Sequence, residues 1–162
     1  MYREVVTALR ERGAHFEVVH HQAAQSGLQE ALVLGMPAGD VVKAVVLATG
    51  GGAAVAVLPA SRRLDMELVR AATGDRRARL ATEEEIEGAL PDCELGAVPP
   101  LGSVLHAPAY VDPEVLRHPV VAFATGTRTE SVRGPAAELF GGEEVTITPI
   151  SEPADGRPRD EG

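Results

Sequence analysis

The sequence predicts an α/β fold of the α+β type, in which a mixed sheet is surrounded by helices. Two apolar, valine-rich runs, residues 41–49 and 53–59, are separated only by the glycines at 50–52, a pattern typical of a hairpin. Helical segments with recognisable caps precede and follow this hairpin at irregular intervals. Because strands and helices do not alternate regularly, neither a parallel βαβ array nor an all-β sandwich is expected.

The segment before the hairpin predicts a helix, a strand and a second helix. The helix over residues 2–13 has one apolar stripe, formed by Tyr2, Val5, Val6 and Leu9. Residues 15–21 alternate as a short strand does. The second helix begins at Ser26, a good N-cap, and ends at Gly35.

After the hairpin, two helices begin with strong capping signals. Asp65 caps a helix over residues 66–72 that closes at Gly74. Thr82 and Glu85 form a capping box for a helix over residues 83–90.

The last third of the chain predicts further strands around two short helices. Strands are expected over 103–107, 120–125 and 144–150. One helix begins at Asp112 with proline at its first position, and the other covers 135–140. Residues 151–162 show no apolar periodicity and are expected to be a disordered tail.

The composition is that of one globular domain, expected over residues 1–150. The chain has 162 residues, of which 44% are apolar, enough for a single core. The lone Cys93 excludes an intrachain disulfide and, with no leader-like segment before the first helix, predicts a cytoplasmic protein. No apolar run approaches the roughly 18 residues of a membrane span, so no membrane partner is expected. We expect a monomer or a weak homo-oligomer.

The charge is acidic overall but locally basic. A net charge of −9 argues against binding nucleic acid through the overall field. Six of the fifteen cations nevertheless fall within eighteen residues, and they are Arg62, Arg63, Arg70, Arg76, Arg77 and Arg79. These arginines form either a basic patch for an RNA backbone or a solvated surface balanced by nearby acids.

Lys43 is the only lysine of the chain, and it lies in the first strand of the predicted hairpin. Strand periodicity places it on one face with Val41 and Val45, so its ammonium is expected on a half-buried apolar surface. Such a lysine either finds an anion or lowers its pKa, unless it snorkels to water. Because arginine supplies every other fixed cation, a functional role is the preferred reading.

The segment LGAVPPLG, residues 95–102, is a second candidate element. Its two prolines rigidify the loop and its glycines permit close approach or positive φ. Exposed amides held in fixed directions beside a cation can stabilise an oxyanion, although such loops also serve as plain spacers.

The sequence lacks other familiar binding and catalytic motifs. No dinucleotide or phosphate-binding glycine motif occurs, and the glycines at 50–52 lead into a strand rather than a helix. His20 and His21 are adjacent and point to opposite faces, and without a CxxC or HExxH pattern neither a metal nor a cofactor is expected. Cys93 lies between Asp92 and Glu94, which raises the pKa of its thiol and makes it inert.

With these features in view, the chain resembles the YbaK/ProX-like family of aminoacyl-tRNA editing domains, also found inserted in bacterial prolyl-tRNA synthetases. The resemblance runs from about His20 to Ile150 and depends on three segments in the family's order. They are DVVKAVVLATGGGAAVAVLPASRRLD, LGAVPPLG in place of a G-x-x-x-P-x-G loop, and FATGTRTESVRGPAAEL in place of a late G-[ST]-x-T-x-S segment and helix.

The resemblance implies a mixed, partly barrel-like sheet and hydrolysis of the ester that joins a wrong amino acid to tRNA. Lys43 matches the family's essential lysine, and Gly96 matches the loop glycine whose backbone orients the reacting carbonyl or water. The remaining substrate-binding candidates are His20, Val98, Pro99, Pro100, Gly102, Thr125, Gly126, Thr127, Arg128 and Ser131. No side-chain nucleophile is implied, because positioning of water and oxyanion stabilisation supply the catalysis. The implied partners are mischarged tRNA and, in some cases, a synthetase.

Two departures leave the substrate open. Ala44 follows the lysine where many members carry Thr or Asn, and Arg128 stands where some carry His. A non-catalytic module that binds an aminoacyl or nucleotide end, or docks on a synthetase, is therefore an alternative to a free-standing deacylase. A small-molecule amide or ester hydrolase is a third reading.

Overall fold

The computed structural model describes residues 1–154 and contains a mixed sheet with helices packed around it, as the sequence predicts. The α-helices are α1 Tyr2–Glu11, α2 Gly27–Leu34, α3 Met66–Thr73, α4 Glu83–Ala89, α5 Gly102–Leu105 and α6 Ala136–Leu139, with 3₁₀ turns at Ala38–Asp40 and Pro113–Arg117. The strands are β1 Glu17–His20, β2 Val42–Thr49, β3 Gly52–Pro59, β4 Arg62–Leu64, β5 Arg79–Leu80, β6 Ala109–Val111, β7 Val120–Ala124, β8 Glu130–Pro135, β9 Val145–Ile147 and β10 Ser151–Pro153.

The long hairpin of β2 and β3 is the centre of the fold. Its strands pair from Val42 with Pro59 to Thr49 with Gly52, so the predicted glycine turn is confirmed. The hairpin belongs to a five-stranded sheet of order β5-β2-β3-β6-β9, in which β3, β6 and β9 run parallel. A second sheet of order β1-β8-β7 meets the first through a bridge between Val41 and Ala122.

Helix ends follow their predicted caps. Ser26 accepts a hydrogen bond from the amide of Gln29, and α2 ends at Gly35 in the left-handed conformation. The capping box of Thr82 and Glu85 is present with both of its hydrogen bonds. These local signals act within one turn of chain, and so sequence reasoning places these ends correctly.

A single apolar cluster joins α1, the hairpin and the second sheet. Val5 and Leu9 of α1 are fully buried against it, together with Val57 of β3 and Phe123 of β7. In the described part of the chain no helix is both long and apolar enough to cross a bilayer.

Two predictions about strands are corrected. Residues 103–107 were expected to form a strand, but Gly102–Leu105 form the short helix α5. The amide of Ser103 donates to Glu143, and Val104 and Leu105 are buried. A short apolar run has no period that distinguishes strand from helix, so long-range contacts decide its conformation. In addition, β4, β5, β6, β8 and β10 were not expected. Four of them pair only with strands more than 30 residues away, whereas β8 pairs both with the neighbouring β7 and with the distant β1.

The expected disordered tail is wrong at its start. Ser151–Pro153 form β10, which pairs antiparallel with β4, and Ser151 and Glu152 are buried. The rest of the tail, residues 155–162, lies outside the described residues. Asp112, itself buried, anchors this end of the chain: one carboxylate oxygen accepts from the amide of Ile150 at 2.9 Å and from Ser151 Oγ at 2.7 Å.

We predict that Asp112→Ala destabilises the protein by about 3 kcal/mol, because it leaves the amide of Ile150 and the hydroxyl of Ser151 without their acceptor. Urea unfolding followed by circular dichroism measures the change. Asp92→Ala, which removes an exposed carboxylate, is the control. Equal urea midpoints for Asp112→Ala and Asp92→Ala would show that the hydrogen bonds of Asp112 contribute nothing to stability.

Candidate active site

Three segments that are distant in sequence line one narrow cavity. They are the connection from β1 into α2, the loop before α5, and the turn from β7 to β8. The lining includes His21, Ser26, Glu30, Gly96, Arg128 and Ser131. The cavity thus collects residues from two of the three segments that suggested the family, together with the helix that follows β1.

The loop before α5 and the β7–β8 turn are joined by four hydrogen bonds. The amide of Glu94 donates to Gly126 O at 2.8 Å, and the amide of Gly126 donates to Ala97 O at 2.8 Å. Arg128 adds two more: its amide donates to the Glu94 carboxylate at 2.7 Å, and its Nε donates to Leu95 O at 2.8 Å. Arg128 is therefore occupied in holding the two loops together.

Gly96 lies where the loop meets the chain before α2. It has a φ of +83°, and a Cβ atom built on it would lie 2.1 Å from the carbonyl oxygen of Gln25. Only glycine fits such a backbone-to-backbone approach. The amide of Gly96 has no hydrogen-bond acceptor within residues 1–154, and the residue is exposed at the cavity. This amide has the properties expected of a donor for a substrate oxygen.

Lys43 lies beside the start of α2. A Cβ atom on Gly27 would lie 3.3 Å from Lys43 Cβ and 3.7 Å from Lys43 Cδ, so the bare glycine lets the helix rest on the lysine stem. The side chain is half-buried, and burial lowers the pKa of its ammonium group. Among the described residues Lys43 forms neither an ion pair nor a side-chain hydrogen bond.

Glu30 is a site residue that the sequence analysis missed. It is only 5% exposed, and burial raises the pKa of its carboxyl to about 7, although a hydrogen bond from Ser131 opposes the rise. Ser131 Oγ lies 2.5 Å from Glu30 Oε2, and His21 Nε2 lies 2.8 Å from Ser131 Oγ. The three side chains form one hydrogen-bonded chain along the cavity.

The orientation of α2 explains why Glu30 was missed. The helix leaves Leu28 60% exposed and Leu32 80% exposed, while it buries Glu30. A helix normally turns its apolar side chains inward, so a sequence pattern points Glu30 toward solvent. Nothing in the residues around Glu30 indicates, from a single sequence, that the helix buries this glutamate and exposes Leu28 and Leu32.

The other predicted substrate-binding residues differ in their positions. Thr127, Arg128 and Ser131 line the cavity, whereas Thr125 and Gly126 are buried behind it. Val98 is buried in the main core, Pro99 and Pro100 are also buried, and Gly102 lines a separate cleft beside β6 and β9. His20 points outward, with its Nδ1 3.4 Å from Glu130, and His21 takes the place at the cavity.

The six clustered arginines do not form one uniform surface. Arg63 pairs with Glu152, and Arg79 makes two bonds to Glu85. Arg62 bonds to Ser151, and Arg70 donates to Ala78 O. Arg76 and Arg77 are exposed, and within the described chain neither side chain has an ion pair.

The pKa of the Cys93 thiol is raised, as expected, but the main cause is burial and not the neighbouring carboxylates. This pKa is raised to about 11, first by burial and only to a smaller extent by Asp92 and Glu4. The thiol is therefore protonated at neutral pH and is a poor nucleophile.

Comparison with known proteins supports the family resemblance. Residues 21–141 match the model of the aminoacyl-tRNA editing domain. The multifunctional Ser/Thr-tRNA deacylase ProXp-y of Escherichia coli strain K12 is 28% identical over 136 residues, which cover 81% of each chain.

Solved structures agree with this match. A crystal structure of a proposed trans-editing enzyme for prolyl-tRNA synthetase superposes with a TM-score of 0.80 at 30% identity, covering 93% of this chain and 96% of the other. A hypothetical protein with 21% identity and a TM-score of 0.80 covers 92% of this chain and shares the fold. The match over residues 21–141, which includes the cavity-lining segments, shows that the chain belongs to the aminoacyl-tRNA editing domain family.

Proposed function

We propose that the protein is a trans-editing deacylase, which hydrolyses the ester between a wrong amino acid and its tRNA. The observation that carries this proposal is the cavity at which the Gly96 loop, the β7–β8 turn and the start of α2 meet. The family match and the names of the relatives support the same activity.

Lys43 is proposed to hold an anionic part of the substrate, such as the phosphate of the terminal nucleotide. A half-buried ammonium without a carboxylate partner is costly, and an incoming anion relieves that cost. The stem of the lysine lies against Gly27, and the residue before Gly27 in the chain, Ser26, lines the cavity. An anion bound there lies at the edge of the cavity.

The Gly96 amide is proposed to donate to the ester carbonyl as it becomes an oxyanion. The amide direction is set by the contact with Gln25 and by the bonds of Arg128. Donors that need no reorganisation during the reaction are the effective ones, and each contributes about 2.7 to 4 kcal/mol in acyl-transfer enzymes.

The substrate class is proposed to be tRNA carrying a small polar amino acid. Ser26, Glu30, Thr127 and Ser131 give the cavity a polar wall, and polar walls discriminate by hydrogen bonding. The relative from Escherichia coli is named as a Ser/Thr-tRNA deacylase, which makes serine and threonine the first candidates.

The tRNA backbone is proposed to contact the arginine cluster, with Arg76 and Arg77 foremost, because both are exposed and neither side chain forms an ion pair in the described chain, although Asp75 lies near Arg77. Their local charge must overcome a net charge of −9. Weak binding of free tRNA follows, and a synthetase partner in the cytoplasm is proposed to supply the remaining affinity.

We predict that Lys43→Ala lowers the rate of deacylation at least about tenfold, equivalent to roughly 1.4 kcal/mol of barrier. A panel of mischarged tRNAs in single-turnover assays measures the rate. Lys43→Arg tests whether charge alone suffices, since the guanidinium keeps the charge and changes its shape. Arg117→Ala, an exposed cation outside the cavity, is the control. A wild-type protein that deacylates none of the panel, or an active Lys43→Ala variant, would overturn the proposed role.

We predict that Gly96→Ala lowers the deacylation rate at least about tenfold, with little change in tRNA affinity, because the loop must move away from Gln25. Gly142→Ala is a matched control: Gly142 has the same φ of +83°, but its Cβ atom would meet nothing within 4 Å. A similar loss in both variants would indicate general backbone strain rather than a role of the loop.

We predict that the Arg76→Ala/Arg77→Ala double variant binds tRNA more weakly and with a salt dependence whose slope is smaller by about 1 to 2. Fluorescence anisotropy at several salt concentrations measures both quantities. Arg10→Ala, which removes an exposed cation from α1, is the control. An unchanged slope in the double variant would place the backbone contact elsewhere.

A further inference from the structure

The chain of His21, Ser131 and Glu30 joins three different elements at the cavity. His21 follows β1, Ser131 lies in β8 and Glu30 lies in α2. Ser131 is fully buried and Glu30 is 5% exposed, so neither hydroxyl nor carboxyl can exchange its partner for bulk water at low cost.

The hydrogen bonds limit where the protons lie. His21 Nδ1 lies 2.7 Å from the carbonyl oxygen of Gln22, which can only accept, so Nδ1 carries a hydrogen. Two arrangements then satisfy the chain. Either an imidazolium donates to Ser131, which donates to ionised Glu30, or a protonated Glu30 donates to Ser131, which donates to neutral His21.

Both arrangements contain the same number of protons. They differ only in whether the mobile proton is on the imidazole or on the carboxyl, with the serine hydroxyl between them. Burial raises the pKa of Glu30 to about 7, so the two carboxyl states are both accessible near neutral pH.

One oxygen of the carboxyl is left for another partner. Oε2 bonds to Ser131, whereas Oε1 has no hydrogen-bond partner among residues 1–154. No fully buried side-chain oxygen or nitrogen in that range lacks a partner, so Oε1 is not fully buried, and Glu30 is one of the residues that line the cavity.

We propose that Glu30 accepts the proton of the attacking water, and that Ser131 and His21 position it. This inference rests on the proposed deacylase function and adds a general base to the positioning already assigned to Lys43 and Gly96. The hydrogen bond from Ser131 engages Oε2, which leaves Oε1 able to accept a proton and supplies the ionised carboxylate with a donor.

The proposed step balances as ordinary ester hydrolysis. The water oxygen forms a bond to the ester carbonyl carbon while its proton passes to Glu30 Oε1. The tetrahedral oxyanion then collapses, the bond to the ribose oxygen breaks, and Glu30 returns the proton to that oxygen. The products are the free amino acid and tRNA with its terminal hydroxyl restored.

The charged and titratable groups around Glu30 come from each neighbouring element. His21 approaches from the end of β1, and Arg128 lines the cavity from the β7–β8 turn. Lys43 lies on β2 against Gly27, one helical turn before Glu30. Arg128 is already engaged with the Gly96 loop, which leaves His21 as the neighbour that is hydrogen-bonded to Glu30 through Ser131.

We predict that Glu30→Gln lowers the single-turnover deacylation rate by about 100-fold or more and removes the rise of rate with pH near 7. The amide keeps the size of the side chain but cannot accept a proton. Binding of uncharged tRNA, measured in parallel, is expected to change less than about twofold, because the change is confined to proton transfer. Glu138→Gln is the matched control, since Glu138 also bonds to a histidine, His15, at 2.8 Å but lies outside the cavity.

The positioning role of Ser131 has its own readout. The hydrogen bond from Ser131 favours the ionised carboxylate, so Ser131→Ala is expected to move the midpoint of the pH–rate profile upward and to lower the rate more at pH 6.5 than at pH 8.5. Ser131→Thr restores a hydroxyl and is expected to return the midpoint toward the wild-type value. A purely structural role would lower the rate equally at both pH values.

Failure of this inference and failure of the proposed function give different results. If wild-type protein deacylates the panel and Glu30→Gln keeps the wild-type rate and profile, Glu30 is not the base. If wild-type protein deacylates nothing, the proposed function is wrong and the catalytic assignment of Glu30 falls with it.

The buried carboxyl also makes a prediction for stability that needs no substrate. Because the folded pKa of Glu30, about 7, exceeds the value of about 4.5 expected when unfolded, the folded state binds the extra proton between these values. Its contribution to stability is therefore fully present below pH 4.5 and lost as pH rises through 7. Glu30→Gln lacks this loss, so its melting temperature is expected to rise relative to wild type between pH 5 and pH 8. A constant difference would show that Glu30 does not titrate between pH 5 and pH 8, and it would overturn the raised pKa that lets this carboxyl exchange a proton near neutral pH.

Discussion

The backbone of Gly96 lies directly against the backbone of Gln25, and the geometry of the candidate site depends on this approach. A Cβ atom at Gly96 would lie 2.1 Å from the carbonyl oxygen of Gln25, so the loop can come this close only with glycine. The hydrogen bonds between Glu94, Ala97, Gly126 and Arg128 then attach the β7–β8 turn to the same loop. The amide of Ala24 donates to Arg128 O at 2.8 Å, which ties the start of α2 to that turn as well.

Because of these contacts, the site is held together mainly by the backbone of three loops and not by catalytic side chains placed on a strand. The amide of Gly96 is exposed at the cavity, while the guanidinium of Arg128 is used to orient the loop. Preorganised donors of this kind stabilise charge without rearranging during the reaction. The arrangement suits a reaction in which the enzyme must place a water molecule and an ester.

The two ionisable groups nearest this assembly are held in unfavourable surroundings. Lys43 is half-buried without an ion pair in the described chain, and Glu30 is buried with only neutral Ser131 bonded to its carboxyl. Burial shifts the pKa of both groups toward the neutral form, which costs folding stability whenever either is charged. Perturbed ionisable groups are typical of functional sites, and here Glu30 lines the cavity while Lys43 lies beside the start of α2.

The sequence by itself determined the features that act over short distances. The caps at Ser26, Asp65 and Thr82, the hairpin turn at 50–52 and the setting of Lys43 all follow from neighbouring residues or strand periodicity. Tertiary structure decided what depends on distant partners. It made residues 102–105 a helix, paired Ser151–Pro153 with β4, turned α2 so that Glu30 is buried, and put His21 rather than His20 at the cavity. Local propensity cannot express these outcomes, because each depends on a contact with chain more than 30 residues away.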